Sequence, residues 1–271
     1  MRMALAVAAI AIVVWAALVA RADEPGPLKI LYVTGGGYHD YPAQAKIITE
    51  GLSQRMNVRF TVKHLEGGLN APKRHPAYEG AEWAAGFDVV IHNMCNSADV
   101  DDAQWVENIA RPHREGLAGV FVHCAMHCFR ATETQTWQEM LGITTRNHEA
   151  HHPVMVTRVH HDHPVMKGFP AQWTTPKGEL YRVLKVWEGT TVLATGRASE
   201  GQDHPVIWAR TYGQGRVFGT TLGHFNEEVA APEFLDTLAR GVLWSAGKLG
   251  EDGKPLPGYA APKRAAAAKP K

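Results

Sequence analysis

The chain has 271 residues, of which 45% are hydrophobic, and 28 Lys and Arg stand against 27 Asp and Glu. A nearly neutral chain carries no electrostatic footprint for nucleic acid, and three cysteines exclude a disulfide-rich scaffold. The length fits one large α/β domain better than two.

Arg2 precedes an unbroken apolar run over residues 3–20, followed by Ala20-Arg21-Ala22. This basic start, apolar centre and small-residue cleavage site read as a secretory signal peptide over residues 1–22. Export to the periplasm or the extracellular space is therefore expected. The competing reading is an uncleaved anchor, since the run is nearly long enough to span a bilayer; membrane contact is expected only there. Without Arg2 and Arg21, 26 basic residues face 27 acidic ones, a formal charge of −1. No second long apolar run follows.

Residues 28–34 (LKILYVT) read as a continuous apolar strand ending in Gly35-Gly36-Gly37-Tyr38-His39-Asp40. Three glycines there permit close backbone approach to a ligand, but the pattern is not G-x-G-x-x-G, so no nucleotide cofactor is expected. Pro42 and residues 43–56 read as a first helix, with Ala45, Ile48 and Leu52 on one face. Residues 58–65 alternate as a second strand, residues 67–76 are loop, and residues 87–93 (FDVVIHN) form a third strand. Asp101 caps a helix over about residues 102–111. Residues 117–123 form a fourth strand that breaks abruptly into His123, Cys124, Ala125, Met126, His127 and Cys128. Residues 133–141 are helical and end at Gly142, a usual C′ residue.

This alternation is the doubly wound α/β signature. The second half changes character: residues 154–159, 180–183, 191–194, 206–210 and 216–222 are short strands divided by Gly/Pro turns. Some are expected to extend the main sheet and others to form a β-rich excursion. Residues 233–246 are an amphipathic closing helix, and the Ala/Lys/Pro-rich tail over residues 250–271 is expected to be disordered.

Fifteen histidines is a high count for this length. His39, His92, His123, His127, His148 and His224 fall at or after predicted strand and helix ends, and strand ends of a parallel sheet converge on one edge. Converging imidazoles with a carboxylate such as Glu179 make an open divalent-metal site. Residues 148–152 spell H-E-x-x-H, but Pro153 and the strand-like residues after it disfavour the helix that a zincin requires; only His148 is expected to face the site. Cys124 at the elbow reads either as a structural thiol, as a partner of Cys95 in a disulfide, or as a nucleophile activated by His127 or His224. His64, His75, His113, His160 and His161 read as surface residues, and His163-Pro164 and His204-Pro205 as turns.

TGGGYHD (residues 34–40), VHCAMHCFR (122–130), HPVMKGFP (163–170), GELY (178–181), DHPVIWARTYGQGRVFGTTLGH (203–224) and RGVLWSAGKL (240–249), in this order, resemble the trehalose-utilisation (ThuA-like) family. That family is a branch of the class I glutamine amidotransferase-like superfamily. The resemblance spans about residues 28–249 of a domain taken as 23–249. It implies a flavodoxin-like fold, a mostly parallel sheet, and a role in uptake or catabolism of sugars, including 3-keto disaccharides. Against the amidotransferase elbow G-I-C-x-G-x-Q, His123 rather than Cys124 takes the nucleophile position, which argues against thiol chemistry.

The leading expectation is an exported enzyme (hydrolase, lyase or isomerase) acting on a small-molecule carbohydrate or keto-sugar. His123, His127, Glu179 and His224 are its expected catalytic groups. Tyr38, Asn93, Arg130 and Tyr181 are expected to bind substrate. His39, His123, His148 and His224 are expected to hold one divalent, zinc-like cation. The rivals are a non-catalytic sugar-binding module and a residual amidotransferase-like hydrolase using Cys124.

Overall fold

The computed structural model describes residues 25–262. The signal peptide assigned to residues 1–22 lies outside them, as do residues 263–271 of the tail. In chain order the elements are β1 (Leu28–Gly36), α1 (Tyr41–Ser53), β2 (Val58–Leu65), β3 (Val89–Cys95), α2 (Ala103–Arg114), β4 (Ala118–Val122) and α3 (Thr136–Leu141). There follow β5 (Ile143–His148), β6 (Met155–Arg158), β7 (Gln172–Thr174), β8 (Tyr181–Val186), β9 (Thr190–Arg197), β10 (Asp203–Tyr212), β11 (Gly215–Thr220), α4 (Asn226–Val229) and α5 (Pro232–Ser245).

Nine strands form one sheet in the order β2-β1-β3-β4-β11-β10-β9-β6-β7. The first five run parallel, in the flavodoxin-like arrangement, and from β10 onward the pairing is antiparallel. The β-rich second half thus divides as expected: most of it widens the main sheet, while β5 and β8 pair apart as a two-stranded ribbon. Among the described residues no helix is long and apolar enough to cross a membrane.

Strand alternation sorts the core into two layers. Ile30 and Tyr32 of β1, with Ile91 and Val120, meet Ile48 and Leu52 of α1 and Leu238 and Val242 of α5. Leu31 and Val33, one residue out of phase, meet Val106 and Ile109 of α2 and Trp137 of α3, with Phe121 between them. Both faces of β1, β3 and β4 are covered, which is why they read as apolar runs, while β2 at the edge of the sheet alternates.

Several boundaries move for identifiable reasons. Helix α2 runs past Pro112 to Arg114, with Asp102 as its cap accepting from the Trp105 N–H. Proline removes the N–H that would bond the carbonyl four residues back, and that carbonyl, of Asn108, instead accepts the Trp83 indole N–H at 3.0 Å. Gly37 lines the cavity described below, whereas Gly35 and Gly36, the last residues of β1, serve the sheet. Gly35 and Gly36 have φ of 121° and 94°, and a Cβ on them would lie 2.5 Å from the carbonyl oxygens of Leu65 and Cys95 on the flanking strands. Strands β5 and β7 are additions to the predicted set. The tail is also corrected: through residue 262 it lies along the domain, where Tyr259 accepts from the Asn57 N–H and Ala260 bridges to Met56.

Candidate active site at the strand ends

The ends of β1, β3, β4 and β11 open into a cavity of about 730 Å³, within the usual range for small-molecule sites. The antiparallel ribbon closes its other side, bringing His148 at the end of β5 and Glu179 and Tyr181 at the start of β8. His123 leaves β4 with φ 47°, left-handed backbone that a side chain rarely adopts. That turn lifts its ring over the neighbouring strand end, where Nδ1 lies 2.6 Å from the Thr221 carbonyl.

Glu179, 4% exposed, is the hub. Its Oε2 lies 3.4 Å from His123 Nε2 and 3.2 Å from His224 Nδ1. Its Oε1 lies 3.0 Å from both His148 Nδ1 and His151 Nε2. Burial alone would raise this carboxyl pKa, but the hydrogen bonds and charge of His123 and His224 win and hold it far below the usual range. Glu179 is therefore an ionised anchor that orients the imidazoles around it.

The His123 tautomer follows from its partners. Nδ1 must donate to the Thr221 carbonyl, and burial lowers the pKa of the ring against the raising pull of Glu179. In the neutral ring Nε2 turns a lone pair toward the Glu179 oxygen. Two acceptors at that range call for a donor or cation between them. His123 Nε2 and His224 Nδ1 are 3.2 Å apart, so with Glu179 Oε2 they form a near-equilateral triangle. Ligand atoms on a tetrahedral ion at about 2.0–2.1 Å are spaced by about 3.3–3.4 Å. His39 completes the group: its ligand atom and those of His123 and His224 all lie within 4.8 Å of one another, and a second triad of the same kind joins His151, Glu179 and His224. Burial, then the neighbouring His123 and His224, push the His39 pKa down to about 2, which leaves a neutral, ligating ring. The donor set fits a divalent cation.

His39, His123 and His224, expected as ligands, do come together. His148 instead gives its Nδ1 to Glu179 and to the Glu149 carbonyl at 2.8 Å, and it belongs to neither three-ligand group. His127 lines the cavity wall stacked on Tyr181 at 4.2 Å, with its pKa pushed down to about 3 by burial and then by Arg130. Tyr38, 73% exposed with φ 76°, and Arg130, held by the Arg146 carbonyl, stand at the cavity. Tyr181 hydroxyl lies 3.3 Å from His123 Nε2.

Asn93 is a correction. It is 1% exposed and donates to Tyr32 Oη at 2.8 Å and Gln44 Oε1 at 3.1 Å; Gln44 in turn donates to the Gly223 and His224 carbonyls. Asn93 positions the His224 backbone from beneath and is out of reach of a substrate. His92 also stays out, stacked on Phe121 and bonded to Tyr78 and His113 in the core. His75 and His113, expected at the surface, are buried, and His204 sits in β10 accepting the Val183 N–H rather than in a turn. Cys124 is bonded to Cys95, so it offers no thiolate and the Cys124 hydrolase reading falls.

Two site residues escaped the sequence reading. His151 reaches Glu179 because the chain bends after β5, throwing His148 and His151 to one side and Glu149 and His152 to the other, toward Arg182 and Ser199. Glu228, fully buried, accepts the His224 N–H at 2.9 Å, and burial raises its pKa to about 8. The nearest signal was the acidic pair opening α4.

The ThuA family model, described as trehalose utilisation, matches residues 29–245. Among solved structures the chain is similar to a ThuA-like protein from Parabacteroides merdae, at 20% identity and a TM-score of 0.64, covering 81% of this chain and 90% of that one. A ThuA-like protein from Bacteroides uniformis gives 17%, 0.62, 85% and 96% in the same order. A β-galactosidase from Bacillus circulans matches over 33% of its own length and 84% of this chain, at 13% identity and a TM-score of 0.54, which reflects fold alone. No curated protein matches the chain.

Proposed function

We propose that the chain, which belongs to the trehalose-utilisation (ThuA) family, is an exported, metal-dependent enzyme acting on a sugar or keto-sugar. The observation that carries this reading is the cluster of His123 Nε2, His224 Nδ1 and Glu179 Oε2, with edges of 3.2, 3.2 and 3.4 Å, close to the spacing of ligand atoms on one tetrahedral ion. His39, His123, His224 and Glu179 would hold the ion. A divalent ion there supplies Lewis-acid polarisation of a carbonyl or hydroxyl oxygen.

The remaining chemistry belongs to the chain's own groups. His148 and His151 are both about half exposed toward the cavity. Each is oriented by Glu179 Oε1 as an imidazole–carboxylate pair, the arrangement that steadies a general base. The hydrogen on a carbon beside a carbonyl is the proton such a base removes most readily, and its removal begins an isomerisation or an elimination. Tyr38 offers a flat apolar face for a sugar ring at the mouth, and Arg130 offers a donor to its hydroxyls.

The test is metal analysis of the purified full chain beside turnover on a panel of disaccharides and their keto derivatives. One divalent ion per chain, lost together with turnover in His123→Ala, is the expected result. A metal-free, active wild type would sink the metal; tight sugar binding with no turnover across the panel would sink the enzyme.

A further inference from the structure

The Cys95–Cys124 disulfide forms part of the cavity wall beside the histidines. Cys95 ends β3 and Cys124 follows the elbow histidine of the next strand, so the parallel pairing of β3 and β4 brings them together. The two sulfurs and a ring nitrogen of His39 all lie within 4.8 Å of one another. His39 Nδ1 is buried and has no hydrogen-bond partner. A buried imidazole that stands beside two sulfurs with one of its nitrogens unpartnered is a feature that packing alone does not ask for.

We infer that this wall is a latent soft-metal site: reduction of the cystine frees two thiolates that, with His39, bind a zinc-like cation apart from the Glu179 set. Cys₂His with an open fourth position is a ligand set that suits such an ion, and thiolate favours it over harder cations. The step balances. A dithiol reductant gives two electrons and two protons to the cystine and itself closes to a disulfide. The Sγ–Sγ bond breaks and two thiols form. Binding a divalent cation then releases two protons as two sulfur–metal bonds are made. The reductant reaches the bond because both cysteines line the open cavity.

His39 is common to this site and to the histidine set. An ion held by the two sulfurs therefore takes His39 from the other group. While the disulfide is closed, neither sulfur is a thiolate, and His39 is left to the imidazole side. The oxidation state of one bond thus decides which ligand set His39 serves. Cys128 is no substitute, since it is fully buried and its thiol points at the Met94 and Cys124 carbonyls.

Cobalt(II) is the probe, because sulfur ligation adds an intense near-ultraviolet charge-transfer band that imidazole and carboxylate ligation lack. Full chain is titrated with cobalt(II) as purified, and again after treatment with a dithiol and anaerobic desalting. Far-UV circular dichroism is recorded on both. The expected result is a charge-transfer band in the reduced chain alone, kept in Cys128→Ser and lost in both Cys95→Ser and Cys124→Ser. A band already present in the oxidised chain, a reduced chain that stays folded with no band, or one that unfolds before binding cobalt would each overturn the inference. Weaker visible cobalt bands in the oxidised chain report the histidine–carboxylate set, so their absence counts against the proposed function and leaves the thiolate site to be judged on its own band.

Discussion

Replacing Glu179 by Gln separates the metal reading from a merely structural one. The amide keeps the size of the side chain but has one acceptor oxygen where the carboxylate has two. With its oxygen toward His148 and His151, both 3.0 Å from Oε1, its NH₂ faces His123 Nε2 and donates to the lone pair there. Three imidazole N–H groups, on His148, His151 and His224, exchange a charged acceptor for a neutral one or lose it. Charge-assisted bonds exceed neutral ones by about 1 kcal/mol each, so about 3 kcal/mol is forfeited. Against this, a carboxylate that is 4% exposed no longer has to be kept charged, which returns several kcal/mol. Metal-free Glu179→Gln is therefore expected to unfold within about 1 kcal/mol of metal-free wild type in urea. Metal affinity behaves differently: losing an anionic ligand should weaken binding at least about 100-fold, or about 2.7 kcal/mol, and turnover should fall with it. Competition with a chelator of known affinity reads the first quantity and steady-state kinetics the second. The reasoning fails if Glu179→Gln binds metal as tightly as wild type, or if its metal-free form loses most of its stability.

Two further outcomes follow from single residues. His92 and His113 are fully buried; burial pushes the His113 pKa down to about 4 and holds that of His92 well below 6.5. Their stabilising contribution is complete above pH 6.5, where the unfolded imidazoles are also neutral, and it is lost as pH falls toward 4. Between about pH 7.5 and 4.5 wild type should thus lose roughly 2–3 kcal/mol more than His113→Leu in urea unfolding, and equal losses would discredit the buried neutral pair. Tyr38 is 73% exposed, so Tyr38→Ala should leave the melting temperature unchanged while raising KM about five-fold at constant kcat, the pattern of lost uniform binding worth about 1 kcal/mol. A change in kcat alone would place Tyr38 in the chemistry instead.

The parallel half of the fold is readable in the sequence because burial on both faces leaves strands such as residues 28–34 and 117–123 no room for polar residues. The helix expected over residues 102–111 continues through Pro112 as α2, and the carbonyl that the proline leaves unpaired is met by the Trp83 indole, a residue 29 positions before Pro112 that no local pattern marks. Strand β5 was hidden for a related reason. Its outer residues Arg146, Asn147 and His148 are exposed, so it lacks the apolar run, and it exists because β8 pairs with it from beyond residue 180.

The site divides in the same way. His39, His123 and His224 each follow a strand of the parallel sheet, and parallel strands end on one edge, so position in the chain implied proximity. His148 and His151 obey no such rule. Their spacing of three suits a helix, the following proline forbids one, and the sequence offers no other periodicity that would bring both to the same face. What places them is a bend held from behind: Glu149, 8% exposed, accepts from His152, Arg182 and Ser199. With the side chain between them so anchored, the two histidines are turned the other way, onto Glu179. The H-E-x-x-H string thus divides its work. Its glutamate and last histidine build the bend, and the cavity-facing part falls to His148 and to His151, a residue that the motif leaves unspecified. Glu179 could be singled out as the one carboxylate in GELY, but its role could not, because an acid–base group and an ionised anchor have the same sequence and differ only in how many N–H groups surround them.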